Sequence, residues 1–288
     1  MIETKRNRIS IVIPVYNEAD HLRACLEAIA VQTVAPFEVL VVDNNSTDGS
    51  RRLAEQFPFV TLVGEPRQGV VYARDRGFNA ARGDIIGRID ADSIVNVNWV
   101  ETIERLFDDD RSLTAVTGRV RYYNLALRGA LDKADFLIRR HMARVLGREI
   151  AMQGANMAVR RSAWQAVRSH LCHESGLHED YDIAIHLAEQ GHRIAFDERL
   201  EVTISFRQVE SSWRNFSVYA WISPKTYALH GLKSRRHMYP VVALVILAYP
   251  LLKLLHKGYD QQTDHFSWHQ LFEGPSAIAR VNPATFVD

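Results

Sequence analysis

A chain of 288 residues, 47% hydrophobic and 24% charged, is long enough for one large domain or one domain with an appendage. Its formal net charge of +1 gives no broad basic surface, which argues against a nucleic-acid partner held by overall charge. Cys25 and Cys172 alone make no disulfide framework, and the polar start MIETKRNR has no apolar signal core, so a reducing cytoplasm is the expected home.

RISIVIPVY and FEVLVVDNN are short runs rich in Val and Ile, the pattern of strands buried on both faces in a parallel sheet. Between them, Leu22, Cys25, Leu26 and Ile29 recur at helical spacing, with Asn17 as the expected cap and Glu18 and Asp20 in the first turn. Ser46 or Thr47 is expected to start a second helix, with Leu53 and Phe57 inward. FVTLVGE predicts a third strand and residues 70–82 a third helix. GDIIGRID predicts a fourth strand, and NWVETIERLFDD a fourth helix burying Trp99, Ile103 and Leu106. This alternation predicts an α/β, doubly wound, mostly parallel sheet.

The second half is less regular. LTAVTGRVRYY reads as a strand, residues 130–147 as a helix, and NMAVRRSAWQAV as strand then helix. HEDYDIAIHLAEQGHRIAFDE reads as a helix stopped at Gly191 before another strand. From about Ser211 the chain turns aromatic and basic, which divides it into 1–210 and 211–288. MYPVVALVILAYPLL carries no charge, yet it is shorter than the roughly 20 residues a spanning helix needs, and it contains Pro250. It is either a buried helix or an interfacial segment whose flanks, KSRR and KLLHK, draw it to anionic lipid; the membrane surface is the expected setting.

In doubly wound sheets ligands sit beyond the carboxyl ends of the strands, where Tyr16–Glu18, Asp43–Asp48 and Asp90–Ser93 fall. Asp90 and Asp92 are two apart and repel each other unless one is protonated or a cation lies between them. An all-oxygen site with open positions suits Mg2+ or Mn2+ bridging to phosphates. The alternative is a helix cap by Asp92 or Ser93. The cluster Asp43–Asp48 also reads as a turn.

IPVYNE, VVDNNSTDGS, RIDADS, QGANMAVRR and HEDYD, in that order, resemble family 2 of the inverting, nucleotide-sugar-dependent glycosyltransferases with the GT-A fold, over about residues 8–205. The resemblance implies a nucleotide-binding N-terminal half and an acceptor-binding C-terminal half. It implies that Pro14, Tyr16 and Glu18 line the base and ribose pocket, and that Asp43 accepts a base N–H, which fits uracil or guanine. Arg67, Gly69 and Arg74 would lie near the nucleotide. Asp90–Ala91–Asp92 matches the acidic metal motif, with Asp92 the direct ligand of Mn2+ or Mg2+ and Asp90 on ribose or supporting the metal. Asp180 matches the general base, with Glu179 beside it; repulsion among Glu179, Asp180 and Asp182 would raise one pKa. Asp182 is assigned to the helix start. Gly154, Ala155 and Asn156 match a loop approaching donor sugar and acceptor.

The expected donor is a UDP- or GDP-sugar and the acceptor a glycan or lipid-linked hydroxyl, at the inner face of a membrane. The Q-x-x-R-W signature of processive relatives is missing; Trp213–Arg214 stands reversed, so transfer of one sugar per encounter is expected. His230 and His237 are positional candidates for a further metal ligand. HLCHESGLH offers His170, Cys172, His173 and His178, but at a spacing that fits no standard zinc site. No P-loop, G-x-G-x-x-G or G-x-S-x-G is present. A non-catalytic sugar-nucleotide or glycan-binding module is the alternative. A sugar nucleotidylyltransferase ranks below it, because PVYNEADHL lacks a Gly-rich loop.

Overall fold

The computed structural model describes residues 6–123, 128–147, 151–174, 176–260 and 265–266. Strands β1 (Ile9–Val15), β2 (Glu38–Asp43), β3 (Val60–Gly64) and β4 (Ile85–Arg88) pair in parallel in the order β3-β2-β1-β4. The Val and Ile side chains of β1, β2 and β4 are buried on both faces because helices cover both, while those of β3 at the sheet edge are half-buried. Helix α1 (Ala19–Ala30) and α4 (Trp99–Asp109) bury Leu22, Cys25, Trp99 and Ile103 on one face, beside the short α2 (Ser50–Ala54). Helix α3 (Val70–Ala80) buries Ala73 and Phe78 on the other. In α4 the apolar Trp99, Val100, Ile103, Leu106 and Phe107 recur at i, i+4 and i+7 spacing, which makes a single inward stripe.

The sheet continues as a mixed structure. After β5 (Ile94–Val95), β6 (Leu113–Tyr122) and α5 (Arg128–Leu146), strand β7 (Met157–Arg160) inserts antiparallel between β4 and β6. Helices α6 (Arg161–Val167) and α7 (Glu179–Glu189) join α3 on its face, with Trp164, Val167, Ile183 and Leu187 in the core. Strand β8 (Arg193–Ile204) runs parallel to β6 and carries β5 antiparallel at the sheet edge. Two features of this topology place the site. Strand order reverses between β1 and β4, which opens a crevice at their carboxyl ends. And because β7 is antiparallel, its starting end, preceded by Gly154–Asn156, lies beside the finishing end of β4.

Helix α8 (Trp213–Leu229) and α9 (Met238–Lys257) follow, and β9 (Tyr259–Asp260) pairs with β10 (His265–Phe266). Tyr249 of α9 stacks on Phe216 of α8, with ring centroids 3.9 Å apart. Tyr227 and Met238 share a cluster with Leu146 and Ile185, which ties both helices to the sheet domain. The expected segment 211–288 extends past residue 266, outside the described residues.

Four local expectations are corrected. Asn17 does not cap α1: it takes a left-handed φ of 54°, and its side chain accepts the Thr47 N–H at 2.8 Å instead. Ser46 and Thr47 are therefore occupied in the loop, and α2 starts at Ser50 after Gly49. Asp92 and Ser93 cap no helix, because β5 intervenes and α4 begins after Asn98. The charge-free C-terminal run also underestimated its helix. Lys253 and Lys257 continue α9, and with the preceding 3-10 turn the span reaches 25 residues, long and apolar enough to cross a membrane by length and composition.

Candidate active site

The ends of β1 and β2 are knitted together before any ligand chemistry is considered. The Asn17 N–H donates to Ser46 Oγ, and Asp43 Oδ1 accepts the Ser46 N–H at 3.1 Å. Asn44 extends the seam to the loop after β3, accepting the Gly69 N–H at 2.7 Å and donating to the Glu65 and Arg67 carbonyls. Gly69 has a φ of 137°, which a residue with a side chain adopts only under strain. Pro14 is half-buried, Tyr16 exposed and Asp43 buried, around this rim. Arg67 lies on the surface, paired with Glu65 at 3.0 Å and stacked over Tyr72.

Across the crevice, β4 delivers an alternation of charge. Arg88 is buried and reaches Asp90 Oδ1 at 3.2 Å, while Ala91 packs into the core. The Asp90 side chain is 41% exposed, whereas Asp92 is buried. Enclosure at the sheet end, and then the charges of Asp92 and Glu179, push the Asp90 carboxyl up to about 6 against the pull of Arg88. Burial likewise raises Asp92, with Glu18 adding repulsion and Arg207 opposing it. Arg207, in the 3-10 turn Arg207–Glu210 after β8, donates to Asp92 Oδ2 at 2.8 Å and also pairs with Glu18. Among the described residues, Asp90 Oδ2 and Asp92 Oδ1 have no hydrogen-bond partner. Two such oxygens, on carboxylates that repel each other, fit a hard divalent cation with open positions.

Helix α7 starts against this cluster. Glu179 is clamped between two buried arginines: Oε2 accepts from Arg74 at 2.9 Å, and Oε1 pairs with Arg88. Burial alone would raise its pKa, but the two guanidinium groups outweigh that and hold Glu179 below the ordinary range. Asp180 accepts the Gly154 N–H at 2.8 Å and the Tyr181 N–H at 2.9 Å, and no cation pairs with it among the described residues. Burial and the neighbouring Glu179 charge raise its pKa. The adjacent acids thus shift in opposite directions, Glu179 down between two guanidinium groups and Asp180 up. His178 packs on Tyr181 and Tyr219, with centroids 4.7 and 5.4 Å away, so an aromatic wall stands beside Asp180.

Several expected contacts are relocated. Arg74 does not line the crevice: it is fully buried and bound to Glu179 and Asp75. Glu179 is an anchor rather than an open acid. Gly154 is close to Arg88, and a Cβ there would collide with the guanidinium, so the glycine serves that buried pair. Asn156 is buried too, accepting from Trp99 Nε1 at 2.9 Å and donating to the Arg119 and Leu200 carbonyls. Ala155 is covered, its carbonyl near Ser93 Oγ at 3.4 Å. His230 turns to Asp182, on the far side of α7, and His237 lies beside Arg236. Of the set His170, Cys172, His173 and His178, His173 pairs with Asp75 and His178 with the aromatic wall.

Arg88 and Arg207 were not singled out in the sequence. Arg88 stands two residues before Asp90 on a strand, and residues at that spacing share a face. Arg207 carried no local signal, because only the path of β8 brings it to Asp92.

Mixed sheet, crevice at β1/β4 and acids on its strand ends together define a GT-A fold. Solved structures agree. The chain superposes with a TM-score of 0.61 on mannosyltransferase PcManGT from Pyrobaculum calidifontis, solved with GDP-Man and Mn2+, at 22% identity over 88% of this chain and 74% of that one. It superposes at 0.56 on glucosyl-3-phosphoglycerate synthase from Mycobacterium tuberculosis, solved with Mn2+, UDP and glucosyl-3-phosphoglycerate, at 18% identity over 78% and 81%. Residues 10–167 match the family model described as Glycosyl transferase family 2, and the chain belongs to that family.

Curated relatives include the uncharacterized glycosyltransferase YibD of Escherichia coli, 33% identical over 36% of this chain and 31% of its own length. The undecaprenyl-phosphate 4-deoxy-4-formamido-L-arabinose transferase of Pseudomonas fluorescens is 31% identical over 57% and 45%. The matched segments span less than half of either relative.

Proposed function

We propose that the protein transfers a single sugar, with inversion, from a UDP- or GDP-sugar to a hydroxyl of a glycan or lipid-linked acceptor. The observation that carries this reading is the ion-pair chain Asp90–Arg88–Glu179–Arg74, buried except at Asp90. It locks the acidic end of β4 to the first turn of α7, so that Asp180 is held at a fixed place relative to Asp90 and Asp92.

In this reading the acceptor oxygen attacks the anomeric carbon, the bond from that carbon to the diphosphate breaks, and the acceptor proton passes to Asp180. A carboxyl with a raised pKa is a stronger base once ionised, which suits it to take that proton. Asp92 and Asp90 would hold Mn2+ or Mg2+, which supplies charge neutralisation to the leaving diphosphate. Arg207 offers a further cation at the same edge. Pro14, Tyr16, Glu18 and Asp43 line the rim assigned to base and ribose, with Gly69 and Arg67 on its outer side. The wall of His178, Tyr181 and Tyr219 is the acceptor side, where aromatic faces suit sugar C–H surfaces. The nucleotides and Mn2+ named for the two solved neighbours support the donor class and the metal.

Helices α8 and α9 give the acceptor reading its setting. Leu244, Leu247, Leu251 and Leu254 are exposed on α9, and Trp213 and Trp221 on α8, near basic Lys233, Arg235 and Arg236. Such a face suits peripheral attachment to anionic lipid at a membrane's cytoplasmic side.

Thermal-shift measurements with UDP and GDP, with and without Mn2+, come first: the cognate nucleotide is expected to raise Tm, more so with metal. Asp92→Ala is then expected to abolish transfer from the matching sugar nucleotide. Full activity of Asp92→Ala in EDTA would overturn the metal assignment.

A further inference from the structure

The face of α7 turned away from the crevice carries a second cluster of donors. Asp182 and His186 lie four residues apart on α7, Cys172 comes from the loop after α6, and His230 caps the end of α8. One donor atom from each lies within 4.8 Å of the other three. Asp180 and Asp182 are about 200° apart around the helix, so this cluster is separate from the carboxylates of the crevice.

Ordinary hydrogen bonding accounts for only part of the arrangement. Asp182 Oδ2 accepts the Cys172 N–H at 2.8 Å, and Oδ1 meets His230 Nε2 at 2.9 Å. His186 turns its Nε2 to the same Oδ1 but stops at 3.6 Å, and that nitrogen is shielded from solvent with no hydrogen-bond partner. A shielded ring nitrogen aimed at a carboxylate, a thiol and a second imidazole is short of one cation. The other side of the ring is oriented as metal-bound histidines are: His186 Nδ1 lies 3.0 Å from Glu189 Oε2. Asp182 and His230 are 1% and 7% exposed at the side chain, so water competes poorly for the centre.

We propose that Cys172, Asp182, His186 and His230 bind a structural Zn2+. One thiolate, two imidazoles and one carboxylate form a mixed set that prefers Zn2+ to Mg2+ or Mn2+, and four protein ligands close the coordination sphere. Ligand atoms around tetrahedral zinc stand roughly 3.5 Å apart, so the cluster contracts by about an ångström through side-chain rotation. The ion joins the loop before α7, α7 itself and the end of α8, which lies 48 positions beyond Asp182. It thereby fastens the C-terminal helices to the helix whose first turn holds Glu179 and Asp180.

The test uses the full chain without a histidine tag, produced in zinc-supplemented medium and dialysed against metal-free buffer. Elemental analysis is expected to find about one zinc per chain. Cys172→Ser combined with His186→Gln is expected to fall below a tenth of that, while Asp92→Ala keeps it, which separates this site from the proposed metal of the crevice. Titration of the metal-stripped wild-type chain with Co2+ is expected to give a thiolate-to-cobalt charge-transfer band and tetrahedral d–d bands, the former lost in Cys172→Ser. This arm does not depend on any variant folding for its first result. Wild-type protein without zinc and without a thiolate band on Co2+ addition overturns the proposal, as does zinc content unchanged in the double variant.

Discussion

The two faces of α7 handle buried acids differently. On the crevice face, Glu179 is held by Arg74 and Arg88, cations that stay charged at any accessible pH, while Asp180 has no cation paired with it among the described residues and its pKa is raised. On the far face, Asp182 meets imidazoles and a thiol, groups whose charge and ligation change with conditions. HEDYD reads as one acidic patch in the sequence, yet its members divide between these environments because a helix turns about 100° per residue. Charge on the first face is balanced by guanidinium groups, and on the second by groups that can also ligate a metal.

Replacing Asp180 by Asn tests the crevice face most severely: transfer is expected to fall by about a thousandfold, the usual worth of a positioned base. A loss under about tenfold, measured as nucleoside diphosphate release, would remove the base assignment. Arg88→Met strips Glu179 of one partner, and urea unfolding is expected to show a destabilisation of about 3–5 kcal/mol, the cost of leaving a buried charge underpaired. A change under about 1 kcal/mol would mean that Arg74 suffices. On the far face, His230→Ala is expected to cost about 1–3 kcal/mol through the exposed need of buried Asp182, with the rate per folded molecule within about twofold. A large rate loss there would erase the division between the faces.

The pH profile sharpens the comparison further. Because the Asp180 pKa is raised, the base is protonated at low pH, so transfer is expected to rise with pH to a midpoint above the usual carboxylate range. That limb should vanish in Asp180→Asn. The pair acts oppositely on stability. Protonated Asp180 contributes stability at low pH that is lost as pH rises through its folded pKa, whereas Glu179 contributes above its unfolded pKa and loses it as pH falls through its depressed one. The smallest change is expected from Leu247→Ser with Leu251→Ser: stability within about 0.5 kcal/mol, but weaker co-sedimentation with anionic vesicles. Unchanged vesicle binding would free α9 from the membrane reading.

Much of the fold was legible. Val- and Ile-rich runs gave β1, β2 and β4, and the Trp99–Ile103–Leu106 spacing gave α4, because burial imposes those periodicities wherever the chain goes. Caps were less legible. Asn17, Ser46 and Thr47 have several equivalent uses for their side chains, and the seam between two loops took them from α1 and α2. The site was legible as a set of acids but not in its division of labour. Asn156 and Arg74 were expected near the ligands, yet both point into the protein, where they pair with Trp99 and Glu179.

Residue order therefore determined the α/β alternation, the acids at the strand ends and the family motifs, since each depends on neighbours within a turn or a strand. Tertiary structure decided which charges are free. Arg207 reaches Asp92 across 115 positions and Arg88 reaches Glu179 across 91, while His230 reaches Asp182 across 48. Those pairings set burial and field at each carboxylate, and no local pattern encodes them.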